Sequence, residues 1–159
     1  MEYRDYFYLI VFIVGCELVG IIGALVTSDA FVSWYPSLEK PWFTPPGYVF
    51  APVWTLLYAL MGIALYIVWK KGWPQKKAKY AVSAFAIQLT LNGIWTPLFF
   101  GLRNPLLGLI DIILLWIAIL VTIVLFTRIS KKAGALLIPY IIWVTIATAL
   151  NYSIWASIA

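Results

Sequence analysis

What most constrains this chain is a set of five apolar stretches of about 20 residues each, separated by breaks too short to fold alone. A helix rises about 1.5 Å per residue, so about 20 mostly apolar residues cross the roughly 30 Å of hydrocarbon in a bilayer. Windows of that length place spans at 6–26, 47–69, 80–100, 106–127 and 135–157. They occupy most of the 159 residues, 64% of which are hydrophobic and 11% charged, so no soluble domain fits beside them. The expected fold is an all-α integral membrane protein, a single membrane domain over 1–159 built as a five-transmembrane-helix bundle. The connection 27–46 differs from the other breaks. It carries Pro36, Pro41, Pro45 and Pro46 among Trp34, Tyr35, Trp42 and Phe43. Irregular backbone cannot face lipid, so this loop is expected at the water boundary, packed as a lid over the helix ends.

Orientation follows from the cations. Lys70, Lys71, Lys76, Lys77, Lys79, Arg128, Lys131 and Lys132 fall in the second and fourth breaks. With Arg4 they place nine of the eleven Lys and Arg residues at one end, leaving Lys40 and Arg103 at the other. The positive-inside rule then puts the N-terminus in the cytoplasm, with the long first loop and the C-terminus on the opposite side. Basic loops at a membrane surface meet lipid headgroups, so no nucleic-acid partner is expected. The one cysteine, Cys16, excludes a disulfide within the chain, and the lack of histidine excludes a His-based metal site or acid–base pair. No cofactor and no metal are expected. The mixed charges Glu2, Arg4 and Asp5 and the length of the first apolar stretch do not suit a cleavable signal.

Polar groups inside the spans need a reason, because a charge at the bilayer centre is costly. Glu17 lies midway along the first span, where it fits either a protonated interhelical hydrogen bond or a proton relay. Asp111 lies near enough to the end of the fourth span for Arg103 to reach it. Gln88, Asn92 and Trp95 share one face of the third span, Trp143, Ala147 and Asn151 one face of the fifth, and Trp54 and Tyr58 are a turn apart in the second. Asn92 and Asn151 fit interhelical bonding and ligand contact equally. Trp34, Trp42, Trp69, Trp73 and Trp155 fall at the boundaries, as anchoring tryptophans do, whereas Trp54, Trp95 and Trp143 lie deeper, beneath the aromatic loop. An aromatic cavity with a few polar groups suits a flat apolar ligand. Pro97 and Pro139 are expected to interrupt and bend the third and fifth spans.

These residues resemble a known family. Trp34 and Tyr35, Leu38, Lys40 and Pro41, then Pro45 and Pro46, then Phe50-Ala51-Pro52-Val53-Trp54, Leu57-Tyr58 and Met61-Gly62 follow its pattern. So do Gln88-Leu89, Leu91-Asn92, Trp95 and Pro97-Leu98-Phe99-Phe100, and later Pro139-Tyr140, Trp143, Ala147-Thr148, Leu150-Asn151-Tyr152 and Trp155. The pattern is that of the translocator protein family, the TspO and peripheral-type benzodiazepine receptor group, and it covers the chain from the first loop onward. The resemblance implies a five-helix bundle that forms a homodimer and binds porphyrins such as protoporphyrin IX, haem-type tetrapyrroles or other flat hydrophobic small molecules. Carried over position by position, the ligand site comprises Trp34, Tyr35, Thr44 and Pro46 from the loop and Phe50, Ala51, Trp54 and Tyr58 from the second span. Asn92 and Trp95 come from the third, and Trp143, Ala147 and Leu150 from the fifth. Asn92 would meet polar edges of the ligand, and Lys40 could reach its propionates.

Two departures limit what carries over. Animal members have a basic residue closing their sterol-associated stretch, whereas Ala156 and Ser157 follow Trp155 here, so sterol recognition is not implied. Leu107 stands where animal members often carry tryptophan. Short ends suggest a prokaryotic member in the plasma (inner) membrane; animal relatives occupy the mitochondrial outer membrane. The leading expectation is a receptor or sensor for tetrapyrroles. Its alternatives are light- and oxygen-dependent porphyrin degradation, in which Trp54 and Trp143 would be the reacting residues, and transport, which the odd span number and absence of a repeat do not favour. Gly20 with Ala24, or Ala78, Val82 and Ala86, are small-residue stripes suited to contact between copies.

Overall fold

The computed structural model describes residues 3–159 and is all helix, with no strand among the described residues. Helix α1 runs Tyr3–Ser33, α2 Gly47–Gly72, α3 Lys76–Thr96, α4 Pro105–Ile129, α5 Lys131–Leu136 and α6 Ile138–Ile158. Five stretches are long and apolar enough to cross a membrane: α1, α2, α3 with the turn after it, α4, and α5 with α6. The chain is therefore a multi-pass membrane protein.

Three boundaries differ from the sequence reading. Helix α1 does not stop at residue 26 but continues to Ser33, which makes it 31 residues long. Thr27, Ser28, Asp29 and Ser33 lower the hydropathy without breaking the helix, and the three hydroxyls fold back onto it; Thr27 Oγ1 donates to Gly23 O, Ser28 Oγ to Leu25 O and Ser33 Oγ to Asp29 O. At 1.5 Å per residue α1 is about 46 Å long, more than the hydrocarbon needs. The irregular part of the first connection is correspondingly shorter, starting at Trp34 with a 3₁₀ turn over Tyr35–Ser37. The fifth span is interrupted as expected, two residues before Pro139 itself. The break falls at Leu137, between α5 and α6, and Pro139 sits in the first turn of α6, where a missing N–H costs nothing.

Pro97 does interrupt its helix. Thr96 is followed by one π-helical turn, Pro97–Gly101, in which Leu102 N donates to Pro97 O at 2.8 Å. The chain then turns through Arg103, whose φ of 50° is left-handed, to Asn104. Asn104 caps α4, its Oδ1 accepting from Leu107 N, and Pro105 occupies the first turn.

Packing is close at the end carrying the basic breaks. Met61, Ala64 and Val68 of α2, Ala78, Ala81 and Phe85 of α3, Ile119 and Phe126 of α4, and Ala133 of α5 are fully buried there or nearly so. Phe85 stacks on Phe126 with centroids 5.7 Å apart. In lipid no hydrophobic force drives helices together, so contact comes from small residues that let backbones approach. Gly62 lies on the backbone of Ile13, Gly72 on Ala78, and Gly134 on Thr127. Ala78 is thus used inside the chain, whereas Val82 is half-buried and Ala86, the last of its stripe, is exposed. At the other end of the bundle, beneath the first loop, the helices leave space.

Candidate ligand-binding cavity

That space is a cavity of about 530 Å³ reached by α1, α2, α3, α4 and α6. Its walls are mostly rings. Trp54 and Phe50 come from α2, Trp95 from α3, Trp143 from α6, and Phe99 and Phe100 from the π-helical turn. The turn puts two consecutive phenylalanines to different uses. Phe99 is buried and stacks on Trp95 at 5.1 Å, while Phe100 meets Phe31 at 5.7 Å and Tyr35 at 5.5 Å. Phe50 packs edge-on against Trp143, so α2 and α6 meet through rings across the cavity. π-helical turns occur often at functional sites, and here one aims a side chain that a continuous α-helix would have carried past the cavity.

The floor is polar. Tyr58 Oη donates to Asn92 Oδ1 at 2.5 Å, Asn92 Nδ2 donates to Tyr140 Oη at 2.9 Å, and Tyr140 Oη donates to Gln88 Oε1 at 2.8 Å. Gln88 Nε2 reaches the Met61 sulfur at 3.8 Å. Tyr58 and Asn92 line the cavity, whereas Gln88 and Tyr140 lie behind them, buried. This row ties α2, α3 and α6 where the hollow part gives way to the close-packed part. A second link stands in the wall: Trp95 Nε1 donates to Asn151 Oδ1 at 3.1 Å, and Asn151 Nδ2 donates to Pro105 O at 2.7 Å.

The roof is the shortened loop. Tyr35 stacks on Phe31 with centroids 5.4 Å apart, and Trp34 packs on Phe99. Burial pushes the Tyr35 phenol above its ordinary range, so it is neutral at physiological pH. The Lys40 ammonium donates to Tyr35 O, Pro36 O and Leu38 O and lies 4.9 Å from the centre of the Tyr35 ring. An ammonium has three donors, and these carbonyls use them. Lys40 is therefore a clip that shapes the loop, and it does not reach toward a ligand carboxylate as expected from sequence.

The structure brings together Tyr35, Phe50, Ala51, Trp54, Tyr58, Asn92, Trp95, Trp143, Ala147 and Leu150 around this one cavity. It leaves out three of the expected residues. Trp34 stands behind Phe99, Thr44 closes a turn by donating to Pro41 O, and Pro46 is the residue preceding α2. Asn92 lines the cavity, and its amide bonds Tyr58 and Tyr140, which is the interhelical role; one N–H and one lone pair of the amide are left over from these two bonds. Arg103 does not reach Asp111. Its Nη2 lies 3.6 Å from Asp29 Oδ2, because the left-handed turn points it to the end of α1, while Asp111 sits on the buried face of α4 with one oxygen lacking a partner.

Sequence reasoning missed α1. Glu17, Gly20, Ala24, Thr27 and Phe31 line the cavity, and none was expected there. The signal was present: from Gly20 these positions repeat at i, i+4, i+7 and i+11, a single helical face of small and polar residues ending in a ring. Gly20 supports no contact between copies, since a Cβ there would strike the Tyr58 ring. On the α1 and α2 side the wall is thin; Val32, Gly47 and Thr55 line the cavity and are also exposed.

A family model described as the TspO/MBR family matches residues 12–156 of the chain. The chain is 47% identical over 148 residues to the tryptophan-rich protein TspO of Archaeoglobus fulgidus, covering 92% of this chain and 94% of that protein. Against the tryptophan-rich sensory protein of Cereibacter sphaeroides it is 36% identical, over 93% of this chain and 89% of the relative. The human translocator protein is 38% identical over 84% of this chain and 80% of its own length.

Proposed function

The chain belongs to the TspO/MBR family, and from that premise we propose that it is a membrane receptor holding a flat hydrophobic ligand of the porphyrin class in the cavity beneath its first loop. The observation that carries this reading is the convergence of Trp54, Trp95 and Trp143, from three different helices, on one space of about 530 Å³. That size falls within the roughly 300–1,000 Å³ of small-molecule sites. Ring walls favour a planar, polarisable ligand that can lie against them, and their burial supplies affinity without a charged partner. The engaged floor amides fix the depth to which the ligand descends. The thin wall between α1 and α2 gives a hydrophobic ligand an approach from the bilayer. The name of the Cereibacter relative, a sensory protein, accords with a receptor whose loop reports occupancy. In this reading the basic end faces the cytoplasm of a prokaryotic cell, across its plasma membrane.

Spectral titration of the purified protein with protoporphyrin IX tests the proposal. Saturable binding to the wild type, lost in the double variant Trp54→Ala with Trp143→Ala, is the expected result. A double variant that binds at wild-type affinity would overturn it.

A further inference from the structure

At the end opposite the cavity, a groove of about 400 Å³ lies between the start of α3 and the end of α4, lined by Lys77, Tyr80, Leu125, Arg128 and Ile129. We propose that this groove is a binding site for one anionic phospholipid, with its phosphate between Lys77 and Arg128 and an acyl chain descending past Tyr80 and Leu125.

The chemistry of the groove is divided by depth. Its two cations stand at the termini of spanning helices, where headgroups lie; Tyr80 and Leu125 follow about one turn further toward the bilayer, and Ile129 closes the groove at the end of α4. The Lys76 ammonium, 5.8 Å from the Tyr80 ring centre, adds a third positive charge beside it. Neither Lys77 nor Arg128 is in an ion pair among the described residues, where Lys70 takes Asp5 and Arg103 takes Asp29. Of the six acidic residues, Glu17 and Asp111 are within spans, Asp29 and Glu39 belong to the opposite end, Asp5 takes Lys70, and Glu2 lies outside the described residues. Three lysines in the first turn of α3, Lys76, Lys77 and Lys79, also oppose the helix dipole, and Gln75 supplies no side-chain cap. An anion in the groove offsets both the mutual repulsion and the dipole. Below it, Val121 and Val124 of α4 and Ile87 of α3 are exposed, so the apolar surface continues for the length of a chain. Basic pockets between helices on this kind of membrane face recognise phosphate headgroups.

The test uses the full chain in neutral detergent, titrated with dioleoyl phosphatidylglycerol or the matching phosphatidylcholine and followed by native mass spectrometry. The wild type is expected to retain one phosphatidylglycerol in preference to phosphatidylcholine. Lys77→Gln with Arg128→Gln should weaken that binding about 25-fold, at about fivefold per removed charge. Lys131→Gln with Lys132→Gln removes the same charge outside the groove and should change it by less than about threefold. Equal weakening in the two double variants would overturn the site in favour of diffuse attraction, and unchanged binding in the first would overturn it outright. Complete displacement of the lipid by millimolar inorganic phosphate would overturn the lipid in favour of a free anion.

Discussion

The two ends of the bundle use the same kinds of residue to opposite effect. At the basic end, small residues bring helices close and rings such as Phe85 and Phe126 interlock, so the interior between the helices is filled. At the loop end, bulkier rings from separate helices touch at their edges and faces yet leave a space open between the helices. A lining of large aromatics on separated helices is poor packing by itself, since each ring lacks partners on one face. The end that gives up contact is the end that can accept a ligand, and the hydrogen-bonded row from Tyr58 to Gln88 divides the two.

The largest effect expected from breaking this contrast is at the solid end. Phe126→Ala should lower stability by about 3 kcal/mol, the low end for truncating a buried phenylalanine, because in lipid the packing part of the loss dominates. Reversible unfolding in mixed micelles measures it. At the hollow end, Trp54→Ala should leave stability within about 1 kcal/mol but weaken porphyrin binding about 30-fold or more, as the loss of an aromatic anchor does. A variant with the reverse pattern would show that the cavity is a packing element. Between the halves, Tyr140→Phe removes one donor and one acceptor from the floor, leaving Asn92 Nδ2 and Gln88 Oε1 unpaired. A cost of about 1–2 kcal/mol in unfolding follows, together with a broader range of accepted ligands. The smallest effect is at the roof. Lys40→Met frees the carbonyls of Tyr35, Pro36 and Leu38 at the water boundary, where solvent takes them over. Ligand dissociation in stopped flow should quicken about threefold with stability changed by less than about 0.5 kcal/mol.

The spans were legible because the apolar character of about 20 consecutive residues is a bulk property that survives ignorance of every contact. Rings deep in α2, α3 and α6 were legible for a related reason: large aromatics at helical spacing, below a proline-rich loop, have few other uses. Helix α1 was not legible. Its wall is made of Gly20, Ala24 and Thr27, whose spacing marks one helical face, but small side chains do not say what that face meets until the ring that fills the gap, here Tyr58, is placed opposite. Charged side chains were misassigned for another reason. Lys40 and Arg103 are long, and each was given a partner by depth alone. The turn geometry around them, a 3₁₀ turn for one and a left-handed residue for the other, selected Tyr35, Pro36 and Leu38 in the first case and Asp29 in the second.

The Lys40 clip has a mechanical consequence. All three of its acceptors lie within five residues of it in the chain, so the cap keeps its shape without help from the helices it covers. What ties the cap to the bundle is chiefly ring contact, Trp34 on Phe99 and Tyr35 on Phe31 and Phe100, beside the Trp34 N bond to Ala30 O that continues α1. Any displacement of the cap would then part a few aromatic faces while the cap moved as one preassembled piece, without the toll in disorder that a melting loop would exact.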